Sequence, residues 1–258
     1  MEYVIIAVAA FLASTLTFFS GFGLNTLLMP VLALFFPLQI AIGLTAVVHI
    51  LNNTFKLGII GKFSQWRIVL NFGVPALVTS FVGAYVLVYA SGIKPLFRYS
   101  LTGQTFEITW IKLITGFLIL IFTYLESLPF LRNMTVSPKW MTIGGLLSGF
   151  FGGLSGHQGA LRSVFLVRLT LEKQAYIATG TAIAFMIDIA RLFVYSNNML
   201  SYDLLKKYLL ILAIAVLSAL LGVIVGNTFL KKITYRLIQQ IVTIFLSIVG
   251  LALIAGLL

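Results

Sequence analysis

The chain has 258 residues, of which 60% are hydrophobic and only 9% charged, with a mean hydropathy of +1.11. That leaves too little polar surface to clothe a water-soluble globule, and the apolar runs are continuous and rich in Leu, Ile, Ala and Phe, which excludes a barrel of short alternating strands. The net charge of +11 sits mostly in short connections between apolar runs, so it marks membrane orientation and not a nucleic-acid surface.

The expected fold is therefore all-α, a polytopic helical bundle in the plasma membrane with 8–10 hydrophobic segments. In the first half they fall at residues 2–20, 24–36, 38–60, 66–90 and 108–125. The first follows Met1-Glu2-Tyr3 without the basic stretch of a cleaved signal, so it reads as a permanent span. The second has thirteen residues, about 20 Å of helix against a hydrocarbon core of about 30 Å, and reads as a half-span or re-entrant piece. The other half repeats the pattern at 140–154, 160–169, 174–195, 204–229 and 233–258, which divides the chain into repeats 1–128 and 129–258.

Each short segment follows a glycine-rich break, Ser20-Gly21-Phe22-Gly23 in one half and Gly152 through Gly159 in the other. Non-helical backbone at membrane depth survives only where it is buried in protein or lines a cavity, and paired interruptions of this kind point to a transporter's central site. The helix start after each break offers free N–H groups to an anion. Asn25 follows the first break, and His157, Gln158 and Arg162 lie in or just after the second. The competing explanation is that the glycines only let helices pack closely.

Polar residues interrupt the third segment of each half at matched places. Thr45, His49, Asn52 and Lys56 recur on one helix face with Asn53 at its margin, and Thr181, Asp188 and Arg191 form the counterpart. Lys56 and Arg191 are 135 positions apart. Ionisable groups inside a membrane face the bundle interior or water, because exposing one to lipid costs at least about 2.5 kcal/mol. Two matched cations point to an anion pathway, with Lys56 and Arg191 neutralising the substrate and Asp188 and His49 carrying protons. The plainer readings are snorkelling anchors for Lys56 and Arg191, a structural Asp188–Arg191 pair at i, i+3, and a structural His49.

The layout of glycine break, short apolar segment and Pro37-Leu38-Gln39-Ile40-Ala41 step, repeated as Gly153 to Gly159 and then Thr170-Leu171-Glu172-Lys173-Gln174-Ala175, resembles the TauE/SafE sulfite exporter family, also called the toluene sulfonate uptake permeases. The usual run of glycines becomes Gly-Phe-Gly-Leu-Asn in one half and Gly-His-Gln-Gly in the other, and Ser163 stands where a second proline is usual. The resemblance implies secondary transport of small sulfur-containing or organic anions.

No nucleotide-binding loop, zinc-protease motif or serine-hydrolase elbow is present, and there is no cysteine. The chain is thus expected to be no enzyme, to hold no cofactor or metal, and to have a small anion and the lipid bilayer as its partners. A homo-oligomer is compatible with the sequence, and an anion channel and a membrane-embedded scaffold are the alternative functions. If all ten segments cross, Lys62, Arg67, Arg132, Lys139, Arg168, Lys173, Lys231, Lys232 and Arg236 share one side, which the positive-inside tendency places in the cytoplasm.

Overall fold

A computed structural model describes residues 1–20, 23–101, 103–127, 138–166, 169, 171–228 and 235–258. Among these the chain forms eleven α-helices: α1 (Glu2–Ser20), α2 (Leu24–Ala33), α3 (Leu38–Ile60), α4 (Trp66–Ser91), α5 (Trp110–Ser127), α6 (Met141–Ser155), α7 (Gly159–Leu166), α8 (Lys173–Asn198), α9 (Tyr202–Lys207), α10 (Leu209–Thr228) and α11 (Tyr235–Ile254). Gly21, Phe22, Arg132, Arg168, Thr170, Lys231, Lys232 and the expected repeat boundary at 128/129 lie outside the described residues.

The distribution of polarity is that of a membrane protein. Leu70, Val74, Val78 and Val82 recur every fourth residue along the exposed face of α4, and Leu217, Leu221 and Ile224 follow at steps of four and three on the exposed face of α10. His49, Lys56, Asp188 and Arg191 are buried. Among the described residues four helical stretches, Leu38–Phe63, Trp66–Ser91, Lys173–Asn198 and Leu209–Thr228, are long and apolar enough to cross a bilayer, and five shorter apolar helices accompany them. The chain is an integral membrane protein of helical type.

Helices early in the chain pack on helices late in it. α6 lies on α4 along a glycine seam: a Cβ added at Gly145, Gly149 or Gly153 would strike the carbonyl oxygen of Phe72, Ala76 or Ser80. Thr79 Oγ1 of α4 also donates to Leu146 O of α6 at 2.7 Å. α1 packs on α10 in the same manner, where a Cβ at Gly222 would come within 2.5 Å of Phe11 O and Thr15 Oγ1 donates to Gly222 O at 3.2 Å. α5 meets α11 where Gly116 faces Gly250 O. α3 and α8 cross antiparallel: Ile60 clusters with Ile177, His49 reaches Asp188, and Gly43 lies against Leu200.

Several expectations need correction. Helix α6 continues through Ser155, so Gly152 and Gly153 serve helix packing, and the second break is only Gly156-His157-Gln158. Gly156 turns the chain with φ +81°, a conformation that favours glycine. The segment expected over 204–229 is divided at Tyr208 into α9 and α10. The fold is all-α as expected apart from one small antiparallel hairpin, β1 (Phe97–Leu101) and β2 (Gln104–Ile108), which joins α4 to α5. This hairpin holds the end of α11: Tyr99 OH donates to Ala255 O at 2.5 Å, and Lys112 Nζ donates to Glu107 O at 2.9 Å and to Gly256 O at 3.2 Å. The Ala255 and Gly256 carbonyls, just past the end of α11, lack partners within that helix, which is why donors from outside gather there.

Candidate functional site

The polar residues of α3 do not act as one stripe. Thr45 Oγ1 returns its proton to Ala41 O at 2.6 Å, the usual way a hydroxyl satisfies itself inside a helix. Asn52 faces α1, accepting from Ser14 Oγ at 2.9 Å. His49 and Asn53, one turn apart, face α8 and converge on Asp188.

Asp188 is the hub of the bundle. Its Oδ2 accepts from His49 Nδ1 at 2.6 Å and from Asn53 Nδ2 at 2.8 Å. Its Oδ1 accepts from Arg191 Nε at 2.9 Å and lies 2.8 Å from Arg191 Nη2. Gln158 Nε2 completes the ring at 3.5 Å. Asp188 and Arg191 are both 0% exposed, so this is a buried pair on one helix face, tied across the crossing by α3. A carboxylate can be kept charged out of water only with this many donors around it.

Arg191 is committed to that pair and to the first half of the chain. Its Nη1 lies 3.4 Å from Asn25 Oδ1, while Asn25 Nδ2 donates to Ser155 O at 3.0 Å. A Cβ at Gly156 would collide with Asn25 Nδ2 and approach Arg191 Nη1 to 2.6 Å, so the glycine is what lets both side chains lie against the backbone. His157 Nδ1 is 3.0 Å from Ser155 Oγ, and its ring stacks on Phe122. One turn on from Arg191, Tyr195 OH donates to Gly153 O at 2.5 Å.

A cavity lies on the other side of the hub, bounded by the end of α1, the start of α2, the later part of α3, α7 and the first half of α8. The space in which a water-sized molecule can be centred is about 30 Å³, so the cavity is small. Its charged walls are Lys56 and Arg162, its other polar walls Thr17, His49, Asn53, Tyr176 and Thr181, and Phe18, Leu24 and Ile177 make it partly apolar. Lys56 is 5% exposed, and its Nζ lies 5.6 Å from the centre of the Phe18 ring. Among the described residues no carboxylate comes within ion-pair distance of it. Gly180 makes room for Arg162, whose Nε would be 3.2 Å from a Cβ there. Gly23 packs near His49 Nε2, which leaves that ring nitrogen on the cavity side while Nδ1 holds Asp188.

The sequence-derived site residues thus separate into two groups. Lys56, Arg162, His49 and Asn53 share the cavity; Arg191, Asn25 and His157 lie beyond Asp188, with Gln158 between, its Oε1 3.5 Å from Arg162 Nη1. Lys56 and Thr181 both line the cavity, and Arg191 is ten positions beyond Thr181 along α8, about 15 Å of helix. Thr17 and Tyr176 are cavity residues that sequence reasoning missed. A hydroxyl in the last turn of one apolar span and a tyrosine in the first turn of another were the only signals. No group of three or more metal-binding side chains occurs among the described residues.

A helical bundle with apolar outside, charged interior and an internal cavity lined by cations has the form of an integral membrane transport protein. Residues 6–253 match the family described as Sulfite exporter TauE/SafE, and the chain belongs to that family, one of membrane transporters of sulfur anions. Comparisons with curated proteins and with solved structures gave no match.

Proposed function

We propose that this protein is a proton-coupled secondary transporter that carries a small sulfur-containing anion, sulfite or an organosulfonate, through the Lys56–Arg162 cavity. The observation that carries the reading is the charge inventory. Lys56 and Arg191 are both buried, and Asp188 is taken up by Arg191. Lys56, with no carboxylate at ion-pair distance among the described residues, faces the space that Arg162 also lines, and an anion there supplies its counter-charge. The Thr17 and Thr181 hydroxyls donate to Ser14 O at 3.3 Å and Ile177 O at 2.8 Å and would turn from these carbonyls to donate to an oxyanion, while Phe18 and Ile177 offer an apolar wall to a short organic substituent.

His49 gives the proton a path. A proton taken from the cavity at Nε2 releases the one on Nδ1 to Asp188, and the neutral carboxyl no longer holds Arg191. In this reading loading the cavity and freeing Arg191 are linked steps, and the closed hub between them favours a carrier over an open channel.

Two inverted repeats supply the frame. Helix ends Ser20 and Ser155, helix starts Leu24 and Gly159, and helix starts Leu38 and Lys173 are each 135 positions apart, as are Asn53 and Asp188, and Lys56 and Arg191. First and fourth helices pack across the halves in both directions (α1 on α10, α6 on α4), and the third helices α3 and α8 cross antiparallel. An operation that reverses a transmembrane helix has its axis in the membrane plane, the arrangement that supports alternating access. The loop-charge bias places the cavity, next to Lys62 and Lys173, on the cytoplasmic side of a plasma-membrane protein.

The test is flux of labelled sulfite and of a panel of sulfonates into proteoliposomes, with and without an imposed pH gradient. Saturable uptake that follows the gradient and falls at least about tenfold in Lys56→Gln and Arg162→Gln supports the reading. No flux of any sulfur anion in a stable, inserted protein overturns it.

A further inference from the structure

We infer a second anion station, made by Arg191, Asn25 and His157, which is the counterpart of the Lys56 cavity and is folded shut in this conformation. The inference rests on the inverted-repeat reading above and resolves its one substrate pathway into two places, occupied in turn.

The same offset that relates Lys56 to Arg191 relates the start of α2, beside the cavity, to the start of α7, beside His157. The environments differ in one respect. Around Lys56 there is space, whereas around Arg191 the space is closed by Asn25, by the Gly156 turn and by the Tyr195–Gly153 hydrogen bond. In this conformation Arg191 does not line the cavity that Lys56 lines, and it is held instead on Asp188.

The closed side carries an unmet polar group of its own. His157 is 1% exposed, and its Nε2 has no hydrogen-bond partner among the described residues. Whichever way the proton lies in the 3.0 Å hydrogen bond between Ser155 Oγ and Nδ1, Nε2 is the ring nitrogen left buried without a partner. It belongs to one hydrogen-bonded chain, Arg191 to Asn25, Asn25 to Ser155 O, and Ser155 Oγ to His157, that ends at the first turn of α7. Buried polar groups are almost always satisfied, and a small oxyanion that keeps one proton, such as hydrogensulfite, both accepts and donates, so between Arg191 and His157 it would satisfy this one in either tautomer when the hub opens. The ligand class is therefore a small oxyanion, the same as in the cavity.

The chain contains no cysteine, so a single introduced thiol reports alone. Thr181 lines the cavity, and Ala46, 135 positions earlier and 0% exposed, is its counterpart on the closed side. Proteoliposomes carrying Thr181→Cys or Ala46→Cys would be treated from each face with the anionic, impermeant reagent 2-sulfonatoethyl methanethiosulfonate. Thr181→Cys should react from one face and Ala46→Cys, more slowly, only from the other. Adding Tyr195→Phe, which removes the bond to Gly153, should speed labelling of Ala46→Cys about fivefold and slow that of Thr181→Cys.

Labelling of both thiols from the same face, or no labelling of Ala46→Cys even with Tyr195→Phe, overturns the inference. Because this readout needs no substrate, it is independent of whether sulfite is carried. A second measurement guards against a misfolded cysteine variant: His157→Ala should raise KM for sulfite about tenfold from the Ala46 face and leave the other face unchanged. An equal KM change on both faces, or none on either, counts against two stations.

Discussion

The two sides of the α3–α8 crossing hold a cation each and treat it in opposite ways. Arg191 is sealed against Asp188 and Asn25, and Lys56 sits in a cavity beside a phenylalanine ring and a second cation. The contrast teaches that a buried charge has two uses. One partnered within the protein is part of the structure, and one left for an outside partner stays available for ligand.

The largest expected effect breaks the sealed side. Arg191→Met leaves Asp188 buried without its counter-charge and should cost about 3–5 kcal/mol, read as a fall in detergent melting temperature. Lys56→Met should do the reverse. It removes a desolvated charge that no carboxylate offsets, so stability should rise by about 1 kcal/mol while anion flux is lost. Equal destabilisation by both variants would erase the distinction between the two sides.

Smaller effects sharpen it. Gly149→Ala drives a Cβ into the Ala76 carbonyl and should cost about 1–3 kcal/mol, whereas Gly58→Ala meets nothing within 4 Å and should be neutral or slightly stabilising in the same melting assay. Asp188→Asn keeps the shape of the hub but cannot take up a proton. Its flux should no longer respond to an imposed pH gradient, and a retained response would move the coupling elsewhere. A small effect is also expected from Tyr99→Phe, which loses one hydrogen bond to Ala255, about 1 kcal/mol in a melting curve, with flux unchanged.

Much of this was legible in the sequence because spacing carries it. The i, i+3 relation of Asp188 and Arg191 and the i, i+4, i+7 relation of His49, Asn53 and Lys56 put these groups on helix faces that the bundle buries. What spacing does not carry is which neighbour a face meets. Asn52 turned to α1 and Asn53 to α8, although both belong to the same polar run. The break before α7 was drawn four residues too early because a glycine that admits a neighbouring helix looks the same in sequence as one that ends its own. The hairpin escaped notice for another reason: five-residue strands with mostly exposed side chains give little hydrophobic pattern to read. Arg162 counted as one contributor among several until α7 and α8 set it beside Lys56.

The glycine seams have a mechanical consequence. Where a backbone lies against a carbonyl with no side chain between, two helices cannot slide without losing contact along their whole length. The α4–α6 and α1–α10 pairs each fasten an early helix to a late one, so the stiff parts of the bundle are two couples, each with a member from either half of the chain. Motion is then left to the looser polar joint where α3 crosses α8, and a probe pair on Ala76 and Gly149 should keep its separation throughout the cycle while one spanning that joint does not.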